Sequence, residues 1–240
     1  MEFLSDIRVE EMKALKRWVH VMGRKLQDAL SHHKFCTDSS ALSCQYKYSI
    51  GLEQPFTASA TLAEKKQNLR LAADHIRRYV VMPGEVFSFW RTVGNPNTSE
   101  FACSRSIRRG ELQLERGGGL CQASGIIHHL ALVAGLEVVE RHNHSKDLYT
   151  DATRFCPLGS DATVAYGYRD LRVRNTTQTP IMFDLQVCDD HFEAYLRSVE
   201  PIAVHEIRFE QREEADGTLT ASAIDVTQGK ILCTSHYERI

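Results

Sequence analysis

The segment "ERGGGLCQASGIIHHLALVAGLEVVERHNHS", residues 115–145, places three consecutive glycines directly before a cysteine and an apolar run. The run from about Gln122 to Ala134 is apolar on nearly all sides, which predicts a helix buried at the centre of the fold. Gly135 occupies the position of a C-cap glycine, and the following "LEVVERHNH" has the composition of a strand. The segment therefore predicts a loop, a central helix and a strand, with Cys121 at the start of the helix.

Two further helices are predicted before this segment. Residues 9–30 carry apolar side chains at spacings of three and four, a seam that we expect to pack on the core or, alternatively, on a partner helix. Thr61 and Glu64 have the spacing of a capping box and predict a second helix that runs to about Val80. Alternation in "CQYKYSI" and "EVFSFW" predicts two short strands. The seam of the first helix consists of Val9, Met12, Leu15, Val19, Met22, Leu26 and Leu30.

Strand-like segments separated by turn clusters occupy most of the chain after residue 160. Helices followed by an antiparallel sheet predict the α+β class. We expect an N-terminal helical and irregular extension over residues 1–60, a central domain over 61–188 and a C-terminal extension of the same sheet over 189–240. The predicted strands are 161–173, 180–188, 191–198, 202–212, 218–226 and 230–238.

The bulk composition excludes several classes of partner. A formal net charge of −2 over 240 residues attracts neither nucleic acid nor an anionic membrane, so neither is expected to bind. No apolar run approaches the roughly 20 residues of a transmembrane helix, and the N-terminus lacks the apolar core of a signal peptide. The seven cysteines form no CxxC pair, so we expect reduced thiols and a cytoplasmic location.

Cys121 is the candidate nucleophile. A cysteine in the first turn of a helix lies at the positive end of the helix dipole, which favours the thiolate and raises its reactivity. Glycines before it would let a substrate backbone come close, and the N–H groups of Gly119, Leu120 or Gln122 would stabilise an oxyanion. The alternative is that Cys121 is a small buried apolar residue. The candidate substrate-binding residues of this loop are Gly117, Gly118, Gly119 and Gln122.

A thiol nucleophile needs a histidine as its base and a third group that orients the histidine. His142 and His144 end the predicted strand two positions apart, so they share a face and either is a candidate base. Asp161 begins the next predicted strand and is either the orienting acid or an ordinary turn residue. The two histidines with Cys121 and Cys156 also suggest a zinc site, but their spacing matches no compact structural pattern, so neither a metal nor a cofactor is expected.

Aromatic and basic residues are candidates for the walls of a binding groove. Trp90 and Tyr166 would line such a groove, although aromatic side chains of this kind usually belong to the core. A cluster of arginines, together with the glycine loop and the helix N-terminus, would grip a carboxylate, and is otherwise a solvated basic loop. These arginines are Arg105, Arg108 and Arg109.

Five stretches resemble the VanW family in order and spacing: "PGEVFSFWRTVG", "GGGLCQAS", "AGLEVVERHNHS", "DATVAYGYRDLRVRN" and "TPIMFDL". The resemblance covers about residues 64–188 and implies a link to glycopeptide resistance and to peptidoglycan. A cysteine at a helix start, a histidine on the next strand and an aspartate on the following one are also similar to transglutaminase-like and papain-like cysteine enzymes. That second resemblance implies a similar arrangement of helix and sheet, with Cys121 as nucleophile, His144 as base and Asp161 as orienting acid.

These observations predict cysteine-dependent acyl transfer or amide hydrolysis on a peptide-like substrate, such as a cell-wall precursor. The rival interpretation is a non-catalytic module that binds a cell-wall peptide or a carboxylate. The two differ in one property, since an enzyme needs an activated Cys121 thiol and a binding module does not.

Overall fold

The computed structural model describes residues 2–39, 44–108, 111–147 and 154–239. It has the α+β class that the sequence predicts, with helices at the centre and antiparallel strands around them. No helix in these ranges combines the length and the apolar character needed to cross a bilayer. The helices are α1 (Glu2–Leu30), α2 (Leu62–Ile76), α3 (Phe89–Val93) and α4 (Leu120–Val133). The strands are β1 (Tyr48–Pro55), β2 (Val86–Ser88), β3 (Cys103–Arg108), β4 (Glu111–Arg116), β5 (Glu137–Glu140), β6 (Lys146–Asp147), β7 (Arg172–Arg174), β8 (Ile181–Val187), β9 (His191–Ser198), β10 (Ile207–Glu213), β11 (Leu219–Asp225) and β12 (Lys230–Arg239).

The strands pair into separate sheets around the central helix. The first sheet has the order β1-β9-β8, the second β10-β11-β12-β6 and the third β2-β7-β5, while β3 and β4 form a hairpin. The central strand β9 pairs with β1 and β8 in such a way that Ser198 lies opposite both Tyr48 and Ile181. The strands expected to extend one sheet after residue 188 therefore belong to two sheets, because β9 joins the first and β10–β12 build the second.

The central helix α4 is buried almost completely, as its all-round apolar composition predicts. Ile126, Ile127 and Leu130 have no exposed surface. The helix contacts α2, and both helices pack on the sheet of β1, β9 and β8. Because each large aliphatic side chain contributes about 1.5–3 kcal/mol when it is buried, this packing fixes α4 and, with it, the position of its first turn.

Helix α1 includes the predicted span, but the expectation that its apolar seam packs on the core is wrong. The opposite face of the helix contacts the rest of the protein through charged residues. Arg24 donates to Glu140 Oε2 at 2.5 Å, and Asp28 accepts two hydrogen bonds from Arg172 at 2.7 and 3.2 Å. The side chain of Val9 lies outside the described part of the chain. The seam residues that are between 55% and 76% exposed are Met12, Leu15, Val19, Leu26 and Leu30.

The predicted capping box of the second helix does not form. Thr61 makes no side-chain cap for α2, because its Oγ1 accepts hydrogen bonds from Ser104 Oγ and from the Arg105 N–H, each 3.2 Å long. The helix also ends at Ile76 rather than near Val80. The hydroxyl of Thr61 therefore joins α2 to strand β3.

One predicted strand is displaced along the chain, and another is shorter than expected. Strand β1 begins at Tyr48, so the first part of "CQYKYSI" is not strand. The strand in "EVFSFW" ends at Ser88, because the Ser88 hydroxyl accepts from the Arg91 N–H at 3.3 Å and caps α3. The end of β2 thus depends on a side-chain hydrogen bond that alternation does not reveal.

The predicted strand over 161–173 is mostly irregular, and only β7 at its end is regular. Side chains bind the carbonyl groups of this segment and of the turn before it. Ser124 donates to the Ala162 carbonyl at 2.6 Å and His128 Nδ1 to the Ser160 carbonyl at 2.8 Å. The segment thus lies against α4 without a neighbouring strand, and it carries Asp161.

Candidate active site

The three glycines before Cys121 are required by the backbone of the turn and by close packing. Gly117 and Gly119 have φ values of +73° and +93°, a region that favours glycine. A Cβ added at Gly118 would lie 2.2 Å from the carbonyl oxygen of Ser104. The interpretation that these glycines make room for a substrate is therefore wrong for Gly117 and Gly118, which face protein atoms. Only Gly119 borders the cavity described below.

Cys121 lies in the first turn of α4 and is partly buried. The Sγ atom is 3.7 Å from Thr163 Oγ1 and 3.9 Å from the Val164 carbonyl oxygen. The irregular segment that follows Asp161 therefore forms one side of the thiol's surroundings. The other side is formed by His144, which lies close enough to lower the pKa of the thiol.

The structure brings Cys121, His144 and Asp161 together. His144 Nδ1 donates to Asp161 Oδ2 at 2.7 Å, so Nε2 is the ring nitrogen that faces the thiol. The His144 backbone N–H donates to the same carboxylate oxygen at 2.8 Å. Side-chain exposure is 19% for His144 and 16% for Asp161, which shields their interaction from water without closing the site.

Asp161 is held by more than the histidine. Arg141 donates through Nη2 to Asp161 Oδ1 at 2.9 Å and through Nε to the Asp161 carbonyl at 2.8 Å. The Tyr237 hydroxyl donates to Oδ1 at 2.5 Å. Burial alone would raise the pKa of the Asp161 carboxyl, but the hydrogen bond and charge of His144 and the charge of Arg141 hold it well below its usual range. Asp161 is therefore ionised at neutral pH.

The charges of His144 and Cys121 support each other. Burial would raise the pKa of the Cys121 thiol, yet the hydrogen bond and positive charge of His144 lower it overall. Burial would lower the pKa of His144, yet hydrogen bonds to Asp161 and Cys121 raise it above its ordinary value. A lowered thiol pKa and a raised imidazole pKa together favour a thiolate–imidazolium pair at neutral pH.

Cys121 opens into a cavity of about 330 Å³, a volume at the lower end of the range typical of small-molecule sites. Its walls come from the chain before α2, from the β3–β4 hairpin, from the α4 start and from the second sheet. Its lining includes Gln54, Lys65, Arg105, Gly119, Cys121, Gln122, His144, Lys146, Asp147, Arg154, Phe155, Cys156, Asp161 and Tyr237.

Several residues that sequence reasoning assigned to the site lie elsewhere. His142 pairs with Glu140 through Nε2 at 3.1 Å and does not border the cavity, because β5 ends before the two histidines and they do not share a strand face. Trp90 and Tyr166 stack edge to face on each other, 5.5 Å apart, away from the cavity. Of the three arginines, Arg105 borders the cavity. The side chains of Arg108 and Arg109 lie outside the described residues.

Gln122 borders the cavity as expected, but its backbone N–H is already used. That N–H donates to the Gly119 carbonyl at 3.0 Å, and the Leu120 N–H donates to the Gly117 carbonyl at 3.3 Å. Neither is free to stabilise an oxyanion. The side-chain amide of Gln122 is buried and has no hydrogen-bond partner for either its oxygen or its nitrogen among the described residues.

A different cluster has the side chains that bind metals. Cys188, His191 and Glu193, at the turn between β8 and β9, have ligand atoms within 4.8 Å of one another. Both His191 ring nitrogens are paired with carboxylates there, at 2.6 and 3.0 Å. None of these residues borders the cavity. Cys156, considered as a zinc ligand with Cys121, does border it, and burial raises the pKa of its thiol to about 11.

Sequence reasoning missed three residues of the site, namely Lys65, Arg141 and Tyr237. Arg141 directly precedes His142, one of the two candidate histidines, but a charged residue after a strand is ordinarily solvated. Lys65 on α2 and Tyr237 on β12 reach the site only through tertiary packing. No local pattern marks either of them.

Comparisons with known proteins identify a family and two relatives. A family model described as "VanW like protein" matches residues 64–197, more than half of the chain and a span that includes Cys121, His144 and Asp161. The chain is similar to the uncharacterized protein YoaR of Bacillus subtilis (strain 168), with 34% identity over 119 residues, which cover 49% of this chain and 38% of YoaR. It is similar to the vancomycin B-type resistance protein VanW of Enterococcus faecalis (strain ATCC 700802 / V583), with 33% identity over 111 residues, which cover 46% of this chain and 40% of VanW. The matches thus span about two fifths of the length of these relatives. No solved structure matches the chain.

Proposed function

Since the chain belongs to the VanW family, we propose that it is a cysteine-dependent enzyme of that family that acts on an amide or ester bond of a peptide-like substrate. One relative is named for vancomycin resistance, and a cell-wall stem peptide or its precursor is the substrate that we propose on this basis. The observation that carries the proposal is the pairing of Cys121 with His144 and Asp161 at the mouth of a cavity. We propose on the same basis that the arrangement is of the transglutaminase-like and papain-like kind.

The proposed reaction uses the three residues in turn. The Cys121 thiolate attacks the substrate carbonyl carbon, a C–S bond forms and the carbonyl electrons move to oxygen. Collapse of this intermediate breaks the bond to the leaving amine or alcohol, which takes a proton from the His144 imidazolium. Water or an acceptor amine then attacks the thioester and gives its proton to His144, and the C–S bond breaks to restore the thiolate. Asp161 keeps Nε2 of His144 directed at the sulfur throughout.

The developing oxyanion needs a donor at the start of α4. Leu120 and Gln122 use their N–H groups within the turn, whereas the N–H of Cys121 has no acceptor among the described residues. We therefore assign the role to the Cys121 N–H, supported by the positive end of the α4 dipole. This replaces the Leu120 and Gln122 donors that the sequence suggested. The third suggested donor, the Gly119 N–H, has no acceptor among the described residues and stays a candidate.

Alkylation by iodoacetamide as a function of pH tests the proposal. An ordinary thiol with a pKa near 8.5 is less than about 1% ionised at pH 6, so it reacts slowly there. Cys121 should react at least roughly tenfold faster at pH 6 than an ordinary thiol, because the imidazolium of His144 favours its thiolate. Cys103, which is exposed, is the reference thiol within the same chain. Mass spectrometry of the digested protein measures each cysteine separately.

Matched variants identify the source of the activation. His144→Ala should move the reactivity of Cys121 to higher pH, and Asp161→Asn should do so to a smaller extent. His142→Ala, two residues away and paired with Glu140, should leave the profile unchanged. A Cys121 that follows the profile of Cys103, or that His144→Ala does not affect, would contradict the enzyme and favour the non-catalytic binding module.

A further inference from the structure

Lys65 holds a positive charge on the cavity wall, and no carboxylate in the described part of the chain balances it. The side chain runs along the start of α4, so that a Cβ added at Gly119 would lie 2.5 Å from Lys65 Cγ. The ammonium lies over the rings of Phe56 and Phe155, 5.7 Å from each centroid. Among the described residues no Asp or Glu pairs with it, and the one charged group that raises its pKa is Cys121. Lys65 is thus a cation beside the nucleophile.

The other charges of the cavity wall are largely paired with each other. Arg154 donates two hydrogen bonds to Asp147, at 3.0 and 2.6 Å. Lys146 lies 4.0 Å from Glu238, and Asp161 is neutralised by the groups that hold it. Arg105 adds a further positive charge where it borders the cavity. The surplus charge that faces the cavity is therefore positive, and an anionic ligand group would balance it.

Burying an unpaired ammonium costs free energy, and this cost lowers the pKa of the group. Burial lowers the pKa of Lys65 to about 8, although the nearby Cys121 raises it. Lys65 is therefore still mainly protonated at neutral pH, and an anion that entered the cavity would stabilise its charged form. Such a site is poised to bind a carboxylate.

Two buried amides on the same wall also have unused hydrogen-bonding atoms. Gln54 Oε1 and both amide atoms of Gln122 make no hydrogen bond among the described residues. Their residues are 3% and 4% exposed, and buried amides of this kind ordinarily have partners. Both residues border the cavity, where a peptide group of a ligand offers the donor and the acceptor that they require.

We propose that Lys65 binds a carboxylate of the substrate, so that the bond attacked by Cys121 lies within a few bonds of a free carboxylate, with Gln54 and Gln122 beside the adjoining peptide group. The substrate class is therefore a peptide or amino-acid conjugate with an acidic group next to the scissile carbonyl. This inference rests on the proposed function of Cys121, and it adds the feature by which the site selects its substrate.

Paired alkylating probes test the inference without a known substrate. Iodoacetate and iodoacetylglycine carry a carboxylate, and iodoacetamide and iodoacetylglycinamide are their neutral counterparts. At pH 7 the ratio of the carboxylate rate to the amide rate should be about tenfold higher at Cys121 than at the exposed reference thiol of Cys103, because the Lys65 ammonium binds the carboxylate. The ratio of the two rates is the readout, since any effect of a variant on the Cys121 thiolate itself changes both rates equally.

Lys65→Met should abolish the preference for the carboxylate probes. Lys66→Met is the matched control, because Lys66 is the next residue of α2 but donates to the Asp189 carbonyl at 2.6 Å and does not border the cavity. It should keep the wild-type ratio. A wild-type ratio at Cys121 equal to that at Cys103, or a raised ratio that survives Lys65→Met, would overturn the inference and leave the proposed function standing. Failure of the proposed function alone gives a different result. A Cys121 with an ordinary pH profile but a Lys65-dependent ratio would refute the enzyme and retain the carboxylate site. A Cys121 inert to all four probes would refute both.

Discussion

At the scale of single residues, the position of Cys121 depends on the glycine turn before it. Asn68 on α2 is fully buried and joins this turn to β3. Its Nδ2 donates to the carbonyls of Gly118 and Ala102 at 3.0 and 3.1 Å, and its Oδ1 accepts from the Ala102 N–H at 2.8 Å. Together with the contact of Gly118 on the Ser104 carbonyl, these bonds leave no room for a side chain.

We expect Gly118→Ala to lower the free energy of unfolding by about 2–3 kcal/mol, the cost of forcing extra volume into a packed site. The added Cβ would meet backbone atoms of Ser104, which cannot move aside as a flexible side chain can. Gly125→Ala is the control, since its Cβ would have ordinary contacts at 3.6 and 3.7 Å and alanine favours helix by up to about 1 kcal/mol. Urea unfolding measures both. Equal stability of the two variants would show that the contact with Ser104 does not require glycine at position 118.

At the scale of elements, α1 and the β3–β4 hairpin differ most from expectation. The spacing of apolar residues correctly predicts that α1 is a helix, but it does not determine which face contacts the protein. That contact depends on Glu140 and Arg172, which follow in sequence by more than a hundred residues. The hairpin was not predicted, although Leu112 and Leu114 alternate with polar residues in β4. This alternation does not mark a buried face, since Leu114 is exposed.

The charged face of α1 should hold the helix against the protein, and the apolar seam should not. Asp28→Ala removes the partner of Arg172 and should speed amide hydrogen exchange in the second half of α1, with a loss of about 1–3 kcal/mol in local stability. Leu15→Gln changes a side chain that is 61% exposed and should alter exchange by less than about 0.5 kcal/mol. Hydrogen-exchange mass spectrometry compares them. Faster exchange in Leu15→Gln than in Asp28→Ala would restore the interpretation that the seam is packed.

At the scale of the whole molecule, the sequence predicts features that depend on neighbouring residues, but it does not predict contacts between segments far apart in the chain. Local periodicity predicts the central helix and the positions of the strands after residue 180. The order of Cys121, His144 and Asp161 along the chain, with its resemblance to cysteine enzymes, suggests the candidate site. The pairing of β1 with β9 joins residues 150 positions apart, Tyr48 and Ser198, and no local signal predicts it. The same holds for the cavity, whose walls come from segments near both ends of the chain.

Tyr237 links the second sheet to Asp161 from outside the span matched by the family model. Tyr237→Phe keeps the buried ring and removes only the hydroxyl that donates to the carboxylate. The loss of a hydrogen bond to a charged group should cost about 1.5–3 kcal/mol at pH 7. Tyr48→Phe, on an exposed tyrosine, should cost less than about 0.5 kcal/mol.

The pH dependence of this loss follows from the ionisation of Asp161. A carboxyl whose pKa is depressed by folding adds stability above its unfolded pKa of about 3.9, and that stability is lost as the pH falls through the folded pKa. At pH 7 and pH 5 Asp161 is ionised in the folded and unfolded chains alike, so the deficit of Tyr237→Phe should be equal at both. Without the hydroxyl the folded pKa of Asp161 is less depressed, so acid unfolding of the variant should have its midpoint at a higher pH than that of the wild type. Urea unfolding at the two pH values and an acid titration followed by circular dichroism measure this. A deficit that differs between pH 7 and pH 5, or an unchanged acid midpoint, would mean that the second sheet does not support Asp161 through Tyr237.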